Sequence, residues 1–62
     1  MVINVKENIL NMDNIIAIEN FWLTDELSPD GVKIYYIGSE NHIKLYGITT
    51  QDVNDAIVNQ TF

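Results

Sequence analysis

The chain has 62 residues, with nine aspartates and glutamates against three lysines, no arginine, and a net charge of −6. So few cations suit neither a polyphosphate nor an anionic membrane surface, both of which are held by clusters of Lys and Arg; the balance suits a protein partner, a basic one above all. The absence of cysteine excludes disulfides and thiolate metal sites, and a single histidine cannot build a histidine-rich one.

In chain order, Val2–Val5 reads as a strand with Ile3 and Val5 on one face. Glu7-Asn8 reads as a turn. Ile9-Leu10 resumes apolar character, and Asn11-Met12-Asp13-Asn14 interrupts it, because Asn and Asp side chains bond nearby backbone. Ile15–Phe21 is the second strand, β-branched and suited to a pleated surface. Its alternation places Ile16 and Ile18 on one side and Ile15, Ala17 and Phe21 on the other. Residues 24–31 form the longest polar stretch, and Ser28-Pro29-Asp30-Gly31 has the composition of a tight turn.

Residues 32–37 form the clearest strand, with Val32, Ile34 and Tyr36 on one face and Lys33, Tyr35 and Ile37 on the other. Gly38-Ser39-Glu40-Asn41 is expected to close a hairpin to His42–Tyr46, which places Ile43 and Leu45 opposite His42, Lys44 and Tyr46. The last element is a helix with a legible start. Thr49 is a good N-cap, Asp52 completes a capping box three residues on, and Ile48 and Val53 form a hydrophobic staple. Val53, Ala56 and Ile57 make its apolar stripe; Gln51, Asp55 and Asn59 make its polar face.

The expected fold is α+β, one domain over residues 1–62, ordered β-β-β-β-α. It is a small curled antiparallel sheet of four strands with one C-terminal helix on part of one face. One helix cannot cover both faces of such a sheet, so Tyr35, Ile37 and Tyr46 are left as exposed apolar surface. A chain this short buries only about 60% of its unfolded surface. Without disulfide or metal, self-association, a dimer first of all, is the remaining way to secure the core. No run approaches the ~20 apolar residues of a membrane span, and the N-terminal residues lack the basic and apolar regions of a secretory signal. A cytoplasmic location is expected. The use of Ile and Asn, with no Arg, fits an AT-rich genome such as that of a low-GC bacterium or its phage.

Three segments carry a family resemblance. Leu10-Asn11-Met12-Asp13-Asn14-Ile15-Ile16-Ala17-Ile18-Glu19, Gly31-Val32-Lys33-Ile34-Tyr35-Tyr36-Ile37-Gly38 and Ile43-Lys44-Leu45-Tyr46-Gly47-Ile48-Thr49-Thr50-Gln51-Asp52-Val53 resemble, in turn, the strand, the hairpin and the strand-to-helix junction of small FlbD-type proteins from bacterial flagellar operons. The likeness spans the chain apart from an insertion at residues 21–30, and Gly47 stands where that family has an acid. It implies the same sheet-plus-helix fold and, as an alternative function, an accessory role in motility or envelope assembly.

No catalytic set emerges. His42 would need an orienting partner and a nucleophile, and Ser28 and Ser39 both fall in turns. Asp25, Glu26 and Asp30 cluster in the insertion, but their spacing does not match a calcium loop, so a solvated acidic loop is expected and no metal or cofactor. Lys6, Lys33 and Lys44 form no run, which leaves nucleic-acid binding as a weak alternative. Phe21-Trp22-Leu23 beside the acidic loop is the best partner contact, because Trp is the residue most enriched in binding hot spots. The expected partner-binding set is Phe21, Trp22, Leu23, Asp25, Glu26, Asp30, Tyr35 and Tyr46. The expected function is a non-enzymatic, self-associating acidic module that regulates or inhibits a larger protein. The size and charge suit a phage- or mobile-element-encoded inhibitor of a host nucleic-acid-processing or defence protein.

Overall fold

The structure, a computed structural model, describes residues 1–24 and 27–60. The fold is α+β, with five strands in two antiparallel sheets and one C-terminal helix. Strand β1 (Val2–Val5) pairs with β2 (Asn8–Asn11) as a two-stranded hairpin, with Ile3 opposite Leu10. A single 3₁₀ turn at Met12–Asn14 leads into β3 (Ile15–Phe21), which begins a meander with β4 (Gly31–Tyr36) and β5 (His42–Tyr46) in the order β3-β4-β5. Helix α1 covers Thr50–Gln60.

The expected four-stranded sheet is therefore a three-stranded meander plus a separate hairpin. The difference lies at Ile9-Leu10, which pairs with β1 as a strand of its own. The turn that allows this is Lys6-Glu7, one residue earlier than expected. Both residues have positive φ, 47° and 70°, as a two-residue type I′ hairpin turn demands. Neither is glycine, so neighbouring side chains hold the turn. Asn4 Oδ1 accepts from Glu7 N at 3.1 Å, and Asn8 Nδ2 donates to the carbonyls of Val5 and Lys6.

Ile3, Val5 and Leu10 from the hairpin, Val32 and Ile34 from β4, and Ile48 and Val53 at the helix start form one buried cluster. Hairpin and helix thus cover the same face of the meander, the inner face. The shortest extent of the molecule is 16 Å, the thickness of two layers.

In β3 the strand phase differs from strict alternation. Ile15 pairs with Tyr36 and Ala17 with Tyr35, so Ile16 is the extra residue of a β-bulge. The bulge shifts the period by one. Ile15 and Ile18 both pack on the core, and Ile16 is 65% exposed. The turn expected at residues 28–31 is also displaced. Gly31 opens β4 and is buried, and Pro29 and Asp30 lead into it with no turn. Gly31 is there for close approach: a Cβ would collide with the Leu45 carbonyl oxygen and lie 2.9 Å from Phe21 Cε1.

The helix start matches its sequence signature. Thr49 Oγ1 accepts from Asp52 N at 3.2 Å, and Thr49 N donates to Asp52 Oδ2 at 3.0 Å. The backbone hydrogen bond from Thr49, helped by Lys6 3.3 Å away, holds the Asp52 carboxyl below its ordinary range. Asn20 makes a second, unforeseen clasp. Its Oδ1 accepts from Thr50 N at 2.9 Å and its Nδ2 donates to Thr50 Oγ1 at 3.0 Å, tying β3 to the first turn of α1.

Candidate functional site

The register of the meander places its outward side chains in three rows across the strands. Ala17, Tyr35 and His42 form the first; Glu19, Lys33 and Lys44 the second; Phe21, Gly31 and Tyr46 the third. Neither hairpin nor helix lies over these rows, because both pack on the other face.

Each row has its own chemistry. Tyr35 donates its hydroxyl to Glu19 Oε1 at 2.7 Å, and this bond, with the nearby negative charge, raises the phenol pKa above its ordinary value. The Tyr35 ring lies 5.4 Å from that of His42, tilted by 45°. Phe21 meets Tyr46 edge-to-face at 5.4 Å, and Lys44 Nζ sits 5.4 Å from the Phe21 centroid. This packing over Gly31 leaves Phe21 only 6% exposed, so it supports the face instead of projecting from it.

The sequence-derived site residues are spread over this face and one end of it. Phe21, Tyr35 and Tyr46 are in the rows. Trp22 and Leu23 continue from the end of β3, 51% and 63% exposed, beside the Phe21–Tyr46 row. Asp30 is partly buried, and its carboxylate accepts from Leu23 N at 2.7 Å, which closes the base of the loop. Asp30 N also donates to the Phe21 carbonyl, and Gly47 N to the Asp30 carbonyl. Leu27, fully exposed, belongs to the same loop. Asp25 and Glu26 lie outside the described residues. Ile37, expected on the outer face, falls just past β4 in the hairpin loop.

Two features went unforeseen, one on this face and one on the other. Lys33 and Lys44 are direct cross-strand partners, although in the sequence they stand apart. The expected four-residue loop at 38–41 would place Lys33 opposite Tyr46; the observed register, with Tyr35 opposite His42, pairs it with Lys44 instead. Neither takes part in an ion pair among the described residues; the side-chain ion pair there is Lys6–Asp52. Asn20, the clasp at the helix start, carries no spacing signal.

His42 is exposed at the far end of the outer face. An open groove of about 310 Å³ lies elsewhere, between β1 and α1, lined by Asn4, Lys6, Asp52, Asp55 and Asn59 among others. Asp52 is already engaged by the cap and by Lys6. No cluster of three or more His, Cys, Asp or Glu among the described residues is placed to hold a metal, and no helix among them is long and apolar enough to cross a membrane.

Comparison with protein families, with curated proteins and with solved structures finds no match to this chain. The likeness to FlbD-type proteins therefore stands on the strand, turn and cap residues alone.

Proposed function

We propose that the chain is a non-enzymatic protein-interaction module that self-associates and regulates or inhibits a larger protein. One observation carries the reading. Trp22, Leu23, Leu27 and Tyr46 are exposed at one end of a domain in which eight apolar residues are buried among the described residues. Exposed apolar groups gathered at one end and rimmed by polar residues mark contact surfaces, whereas those scattered singly, such as Ile9 and Ile16, do not. Trp22 would be the anchor, entering a pocket of the partner, with Asp30 beside it at the base of the loop. The net charge of −6 favours a basic partner and a salt-sensitive encounter. Occupying the basic groove of a nucleic-acid-processing or defence protein of the host fits this chemistry, and a phage or mobile element is a fitting source.

The test is a quantitative pull-down with the tagged chain and its Trp22→Ala variant, each at low and high salt. The expected result is a set of basic proteins retained by the parent at low salt, lost at high salt, and held at least tenfold less well by Trp22→Ala, the scale of a hot-spot truncation. Identical recovery by the two chains would overturn the role of Trp22. Recovery of nothing at low salt would overturn the reading as a whole.

A further inference from the structure

We propose that Asp30 is the positioning residue of the Trp22 contact, gripping the backbone on both sides of Trp22 and so setting the direction in which the indole leaves the domain. The inference rests on the contact proposed above and says how the free chain holds its anchor ready.

Trp22 stands just past the end of β3, where the pairing with β4 runs out. Two peptide planes meet at its Cα. The plane before it carries the Phe21 carbonyl, which accepts from Asp30 N at 2.9 Å. The plane after it carries the Leu23 N–H, which donates to Asp30 Oδ2 at 2.7 Å. One residue thus holds both planes. With both held, the φ and ψ of Trp22 have little freedom, because those are the only two soft backbone dihedrals a residue has.

The two bonds differ in kind. The first continues the β3–β4 ladder by one step, and Gly47 N does the same on the β5 side by donating to the Asp30 carbonyl at 2.9 Å. Asp30 is therefore tied to both neighbouring strands. The second bond uses the side chain and reaches past the point where the ladder stops. It spans seven residues of sequence, too far for a local Asx turn. Its short distance is that of a charge-assisted bond from a backbone N–H to a carboxylate.

Trp22 and Leu23 are more than half exposed, so packing does little to order them. An anchor that is loose in the free chain must be immobilised on binding, which weakens association; one ordered beforehand is not penalised. Asp30 thus serves the contact through geometry, one step removed from the partner, and its charge matters as a strong acceptor for Leu23 N–H.

The test uses Trp22 itself, the single tryptophan of the chain. Time-resolved fluorescence anisotropy of the free chain reads the motion of this one residue, and urea titration follows the fold. Asp30→Ala is expected to give Trp22 an added nanosecond segmental component, the timescale of loop motion. Asp30→Asn keeps an acceptor without the charge and should stay close to the parent. Asp30→Glu keeps the charge, displaces the acceptor and should loosen Trp22. In the pull-down, Asp30→Ala should retain the basic proteins about threefold to tenfold less well, the scale of immobilising one side chain on binding, and Asp30→Asn should recover most of the loss. Trp22 as rigid in Asp30→Ala as in the parent, or as loose in Asp30→Asn as in Asp30→Ala, would overturn the positioning role. If Asp30→Ala fails to fold, the Asn and Glu variants decide, and equal anisotropy in those two would overturn it. The anisotropy needs no partner, so the two readings fail separately: an indifferent Trp22→Ala pull-down overturns the contact, and an indifferent Asp30→Ala anisotropy overturns the grip alone.

Discussion

The two faces of the meander share one backbone and one register but carry different burdens. On the inner face, Val32 and Ile34 are completely buried, and Ile15, Ile18, Tyr36 and Leu45 pack around them under the hairpin and helix. On the outer face, aromatic and charged rows stand open, and the tightest packing among the described residues is that of Phe21 over Gly31. The contrast teaches where folding free energy comes from in so small a domain. The inner face supplies most of it. The outer face can therefore hold a combination such as Lys33 opposite Lys44 that folding alone would not select.

The largest break in this comparison should come from Ile34→Ala. It removes a fully buried side chain at the centre of the core, at a cost of about 3 kcal/mol. Domains of this size rarely have more than about 5 kcal/mol in total, so the variant should be largely unfolded by urea titration well below the parent midpoint. Gly31→Ala tests the one tight place on the outer face. Its Cβ meets backbone at Leu45, which cannot give way as a side chain can, and overpacking of this kind costs about 2 kcal/mol. A loss as small as an ordinary surface change would show that Phe21 and β5 move aside easily. The smallest effect is expected from Tyr35→Phe on the open part of the face. The raised phenol pKa means that the bond to Glu19 contributes fully below the unfolded value of 10.0 and is lost as the pH rises through the higher folded value. The variant should therefore be slightly less stable than the parent at neutral pH, and the gap should close in denaturation curves as the pH rises above about 10.

Much of this architecture can be read from residue pattern. The meander strands follow from β-branched alternation, and α1 follows from Thr49, Asp52, Ile48 and Val53, which the structure uses as a capping box and a buried staple. The parts that escaped have physical reasons. Strand β2 is only four residues long, and its turn uses Lys6 and Glu7 in a conformation signalled by Asn-Gly pairs. The bulge at Ile16 depends on which of four consecutive apolar residues, 15–18, the core selects, a tertiary choice. Gly31 looked like a turn glycine because Pro and Asp precede it, and the approach of Phe21 becomes visible only once β3 and β4 are paired. Of the candidate site, Trp22, Leu23 and Tyr46 were legible as exposed apolar groups in a polar setting. The pairing of Lys33 with Lys44 was not, because it is a property of register and not of composition.

The hairpin tip ties together two parts of the molecule that are far apart in sequence. Lys6 sits in a backbone conformation that L-residues with a Cβ enter at a cost of about 1–2 kcal/mol, and its ammonium is held by the Gly47 carbonyl at 3.2 Å and by Asp52 at 3.3 Å. Those anchors lie more than forty residues downstream. The hairpin tip and the strand-to-helix junction are therefore fastened to each other, and Lys6→Ala should loosen both.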